Sequence, residues 1–267
     1  MTMSPTVAAT VALPDRRRAA ELAGQELSAL IAMARQFTPE QWAAPTDCTE
    51  WTVRDMIAHL TGALEEAVRP SVNVKHQTLA ALGTRRDKGA RAWVDYTTQA
   101  QVNRRHGRTP AQLLAELERL TPRFGRARAR WPEFLRRIAI PREGGLRRGA
   151  DLAYLMDVIY ARDVWLHRVD LARATGIQAP NTEAESSVVE QVIRDLDLEW
   201  TGPPVELELV GHAGGRWVLG TGEPVARVRE DTVAFMRLLS GRSDECALDV
   251  SGRASVADRL RAARVVF

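Results

Sequence analysis

The chain predicts an α+β protein: a four-helix bundle followed by a small domain of strands and helices. Three observations carry this. Residues 15–178 hold long helical patterns bounded by caps and prolines. After Pro180 the pattern changes to short alternating runs such as VELELVG and RWVLG. The 267 residues suit two domains of ordinary size, and a composition of 45% hydrophobic and 27% charged residues is globular.

The first helix is expected after Pro14, with Leu22, Leu27, Leu30 and Ile31 as its apolar face, ending near Phe37. FTPEQWAAPTDCTEW then reads as a loop. Thr52 is an N-cap with Asp55 three positions on, and a second helix runs to about Arg69. Val53, Met56, Leu60, Ala63 and Ala67 form its stripe. Residues 70–107 show no clear period beyond a short helix near Trp93. Thr109 and Pro110 start a third helix that runs to about Trp131, with Pro122 as a point of bending or splitting. PREGGLRRG reads as a loop, and a fourth helix covers about 150–175 and stops at Gly176.

In the second domain, TEAESSVVEQVIRDLDLEW is a helix, and VELELVG and RWVLG are strands joined by a turn at HAGG. PVARVRE is a third strand, DTVAFMRLLSGR a helix capped by Asp231 and closed by Gly241, and ALDVSG a further strand.

Composition excludes several classes. Cys48 and Cys246 are the only cysteines and form no CxxC pair, which points to a reducing cytoplasm. No secretory signal and no run of about 20 apolar residues is present, so no membrane partner is expected. The positive charge is nearly all arginine, and the segment from Arg119 to Arg148 is strongly basic. No nucleic-acid reading motif accompanies it, so a solvated helix face is expected rather than a nucleic-acid surface. His76 and His106 lie in polar stretches and read as solvated, and His212 reads as a turn residue. There is no GxSxG elbow, P-loop or GxGxxG fingerprint.

The chemistry concentrates on the fourth helix. Leu152, Leu155, Met156 and Ile159 define an inward stripe whose next members are Asp163, Leu166, His167 and Asp170. A carboxylate facing a core is costly unless it is paired or bound to a cation. Asp163 and His167 stand at i and i+4, so both reach one point. His59 lies at the edge of the second helix's stripe. Two accounts remain open from spacing alone: a local ion pair beside a core histidine, or a three-ligand metal site with an open position. Asp170 is a partner for a ligand histidine or for Arg168 or Arg173. Cys48 reads as structural or incidental, and Cys246 as buried. Trp42, Trp51 and Trp165 cluster around the segments that carry the site, as pocket lining or as core.

PTDCTEWTVRDMIAHL and RDVWLHRVDLARATG resemble the mycothiol-dependent maleylpyruvate isomerase family, whose N-terminal half is a DinB/YfiT-like bundle. ELELVGHAGGRWVLG followed by DTVAFMRLLSGR resembles that family's C-terminal domain, which is similar to sterol-carrier-protein folds. The resemblance implies a metal-site bundle over 15–178 and a sterol-carrier-like domain over 181–267. It implies a divalent metal, usually zinc, held by His59, Asp163 and His167, with mycothiol as thiol cosubstrate and a small organic molecule as substrate. The family pattern has glutamate where this chain has Asp163. Arg242, in LLSGRSD, matches the arginine that faces the family's active site. The implied activity is isomerisation or S-transfer. The alternatives on the same scaffold are a biosynthetic tailoring enzyme, such as a cyclase using Asp163 and His167 as an acid–base couple, and a metal-free ligand-binding protein.

Overall fold

The computed structural model describes residues 4–88, 92–140, 150–178, 180–242 and 246–267. The loop expected at PREGGLRRG lies outside the described residues. The chain is α+β, mostly helical in its N-terminal region, with a five-stranded mixed sheet. In chain order the elements are β1 (Thr6–Val7), α1 (Arg16–Ala34), α2 (Pro39–Trp42), α3 (Val53–Val68), α4 (Pro70–Arg86), α5 (Trp93–Asn103), α6 (Pro110–Arg130) and α7 (Glu133–Arg136). There follow α8 (Leu152–Tyr154), a wide π turn over Leu155–Ile159, α9 (Tyr160–Thr175), α10 (Ala184–Leu198), β2 (Val205–Val210), β3 (Gly215–Leu219), β4 (Ala226–Asp231), α11 (Thr232–Leu239), β5 (Asp249–Gly252) and α12 (Ser255–Ala262).

The packing divides into two units that interleave along the chain. One is Arg16–Arg137 with Val164–Thr182; the other is Met1–Asp15, Ile138–Asp163 and Glu183–Phe267. The expected spans, 15–178 and 181–267, are each continuous.

In the helical unit α3 is the centre, packed by α5 and α6, with α1 on α6. Thr52 caps α3 and Asp55 closes the capping box. Almost every side chain of α3 is buried, including His59, Glu65 and Glu66. A helix buried all round sits at a core, and its polar residues must find partners there. Thr109 and Pro110 start α6, and Pro122 does not split it. The Thr121 hydroxyl donates to Leu117 O at 2.8 Å in the turn where proline removes a backbone donor. The segment 70–107, without clear period in the sequence, forms α4 and α5. The basic segment is not a uniformly solvated face: Arg128 and Arg136 are buried. Helix α9 is held to α1 by Arg168, which donates to Glu26 at 2.9 Å with both side chains buried. It ends at Gly176, whose φ of +72° is the left-handed conformation that closes helices.

In the sheet unit the strand order is β1-β3-β2-β4-β5. Val205, Leu207 and Leu209 point inward and their neighbours outward, as the alternation predicts. Strand β1, unforeseen in the sequence, adds a parallel edge to β3. Helix α10 carries Asp195, which Arg162 meets at 2.7 Å and the Tyr154 hydroxyl also bonds, all three buried. Breaking such a buried pair on one side costs about 3–5 kcal/mol.

Candidate metal centre

The π turn at 155–159 changes how the inward stripe continues. It winds more residues per turn than an α-helix, so the stripe does not extrapolate through it at 100° per residue. Of the stripe, Met156 and Ile159 are buried and Leu152 and Leu155 half-buried, and Tyr154 and Val158 are buried beside them. His167 and Asp170 are buried because α9 is enclosed on nearly all sides from Ala161 to Leu171; Asp163 is half-buried.

His59 on α3 and Asp163 and His167 on α9 offer ligand atoms that lie within 4.8 Å of one another. The two imidazole rings stand edge to face, their centroids 5.2 Å apart at 82°. Trp51 stacks on His59 at 4.9 Å and lies 6.3 Å from His167. Trp42 packs instead against Phe37, and Trp165 is buried in the core.

Each histidine has its Nδ1 engaged. His59 Nδ1 lies 2.7 Å from Gln101 Oε1. A carbonyl oxygen only accepts, so His59 donates from Nδ1 and carries its lone pair on Nε2. Gln101 is fixed in turn, since its amide nitrogen donates to Glu66 Oε1 at 2.9 Å. The same Glu66 oxygen stands 2.5 Å from His76 Nδ1. This buried chain ends in a carboxyl that burial pushes up from its usual pKa, against the hydrogen bonds from His76 and Gln101. His167 Nδ1 lies 3.3 Å from Asp170 Oδ2. Metal-binding histidines characteristically donate their other ring N–H to a carbonyl or carboxylate. Two imidazoles so fixed, with a carboxylate one turn away, are a donor set suited to a zinc-type ion.

Asp170 thus neighbours His167, while Arg168 bonds Glu26 and Arg173 bonds Asp47 at 3.0 Å. Arg242 lies in the sheet unit, in the turn after α11, half-buried, its backbone N–H donating to Arg237 O at 3.0 Å. Cys48, expected to be incidental, has its sulfur within 4.8 Å of ligand atoms of His167 and Asp170. Burial and then Glu230 push the Cys246 thiol up to about 12. His76, expected to be solvated, is buried against Glu66. His212 is an exposed residue of the β2–β3 turn.

Sequence reasoning does not reach Gln101, Glu66 and His76. The signal for them is Gly62, three residues after His59 on a buried helix. A Cβ there would stand 2.4 Å from Gln101 Cβ, so glycine is what admits Gln101.

Residues 23–172 match the family model for the mycothiol maleylpyruvate isomerase N-terminal domain. The chain belongs to that family. Two uncharacterized proteins of Mycobacterium tuberculosis, from strains CDC 1551 / Oshkosh and H37Rv, are each 27% identical over 251 residues, covering 88% of this chain and 88% of theirs. The crystal structure of the mycothiol-dependent maleylpyruvate isomerase superposes with a TM-score of 0.56 at 16% identity, over 93% of this chain and 97% of the other. A histidine-to-alanine mutant of that enzyme gives 0.55 at 15% identity, with the same coverage. These two likenesses establish the fold. Among the described residues, no helix is long and apolar enough to cross a membrane.

Proposed function

We propose that the chain is a metal-dependent enzyme that uses mycothiol or a related low-molecular-weight thiol, as an isomerase or S-transferase on a small organic substrate. The observation that supports it most is the convergence of His59, Asp163 and His167 with both imidazole Nδ1 atoms already engaged. A zinc-type ion on these residues would lower the pKa of a thiol at its open position and so supply a thiolate at neutral pH. His59 and His167 would hold the ion through the ring nitrogens left open by their contacts with Gln101 and Asp170. Asp163 supplies the negative charge of the set, and its short side chain keeps the carboxylate close to α9. Trp51, stacked on His59, shields one side of the ring from water. Arg242 is assigned to an anionic group of the substrate by analogy with the family pattern.

The test is equilibrium binding of mycothiol to zinc-loaded and chelator-stripped protein. Binding to the loaded form alone is expected. Equal binding to both, or to neither, contradicts a metal-bound thiol.

A further inference from the structure

The loop between α2 and α3 is closed on itself. Trp51 N donates to Cys48 O at 2.7 Å, and Thr46 N to Trp51 O at 3.1 Å. The Thr46 hydroxyl accepts from Cys48 N at 3.2 Å and donates to Trp51 O at 2.9 Å. The loop is also tied to α9 through Asp47 and Arg173, and to α3 through the Trp51–His59 stack. Cys48 is therefore held in a defined position and does not ride on a loose loop.

That position brings its sulfur within 4.8 Å of ligand atoms of both His167 and Asp170. Thiolate, imidazole and carboxylate together are zinc-type donors. His167 Nδ1 and Asp170 Oδ2 are a hydrogen-bonded pair 3.3 Å apart, so in such a set His167 would exchange that bond for a bond to the metal. Asp170 is completely buried, so its carboxylate is held in place beside His167.

We infer that Cys48, His167 and Asp170 form a second ligand set for a divalent ion of the zinc class, sharing His167 with the His59 and Asp163 set. This rests on the metal-binding reading proposed above. One ion occupies either set, because His167 is common to both. In the second set the Cys48 sulfur takes the role that an external thiol takes in the first. Ligation exchanges the S–H bond for an S–metal bond, and the proton goes to solvent. The chain thus carries a resident thiolate that competes with the cosubstrate.

The experiment is a cobalt(II) titration of the full-length, reduced, chelator-stripped protein, followed by absorption. Visible d–d bands report cobalt in a protein site, and a near-ultraviolet sulfur-to-cobalt charge-transfer band reports a thiolate ligand. The wild type is expected to show both. Cys48→Ala should keep the d–d bands and lose the charge-transfer band, with unchanged circular dichroism. Cys246→Ala should keep both, and His59→Ala should keep the charge-transfer band because it disables only the first set. Visible bands without the sulfur band in the wild type overturn the second set and leave the first intact. A sulfur band that survives Cys48→Ala, or that disappears with His59→Ala, overturns the second set as well. No cobalt bound at all defeats both readings.

Discussion

Replacing Gln101 by methionine removes the acceptor that holds His59 in its metal-binding tautomer while keeping an unbranched side chain of similar length. The acceptor stands 2.7 Å from His59 Nδ1, with the two residues 5% and 4% exposed. Water has little room to replace it, so the lost bond leaves a buried donor at a cost of about 1–3 kcal/mol. The amide nitrogen's bond to Glu66 goes too, but Glu66 keeps His76 at 2.5 Å. Loss of such a supporting group lowers metal affinity by about 10- to 100-fold, or about 1.4–2.8 kcal/mol. The assay is competition for zinc against a chromophoric chelator, on protein shown by circular dichroism to be folded. A folded Gln101→Met variant with wild-type zinc affinity would refute the argument that this chain of hydrogen bonds sets the ligand.

Gly62→Ala puts a Cβ 2.4 Å from Gln101 Cβ; overpacking of that kind costs about 1–3 kcal/mol, and both the urea midpoint and zinc affinity should fall. Burial raises the Glu65 carboxyl pKa, but the bonds from Arg104 and Arg105 outweigh it, and the net shift is down from 4.5. A depressed folded pKa stabilises above the unfolded value and is lost as pH falls through the folded one. The stability gap between wild type and Glu65→Gln, measured by urea unfolding, should therefore hold above about pH 4.5 and shrink below it. In chelator-stripped protein, iodoacetamide at pH 8 should alkylate Cys48 well before Cys246, whose thiol burial and Glu230 push up to about 12; peptide mass spectrometry of the folded protein reads this directly.

Local chemistry made much of the fold legible. Thr52, Thr109 and Asp231 cap the helices they were expected to cap, and Gly176 ends α9. VELEL alternates as a strand covered on one face should. The unreadable parts depend on tertiary placement. Helix α4 leaves Val74, Leu79 and Leu82 exposed, so it shows no clean apolar stripe. Helix α5 buries the polar Thr97 and Gln101, which periodicity scores as surface. Two-residue β1 exists only because β3 offers an edge. The i, i+4 pair on α9 was visible as spacing, yet its stripe crosses a π turn that no composition rule reveals. His76 reads as solvated from its neighbours and is buried because Glu66, ten residues earlier, folds back to meet it. Arg168 and Arg173 reach Glu26 and Asp47, partners too distant in sequence to foresee.

Metal content bears most directly on the central claim. Wild type and His167→Ala would be purified without chelator, supplied with zinc, dialysed and analysed for bound metal, His167 being common to both ligand sets. The account predicts about one zinc-type ion per wild-type chain and its loss from the folded variant. A wild-type chain that takes up no zinc, or a variant that keeps it, would contradict a metal centre on α3 and α9.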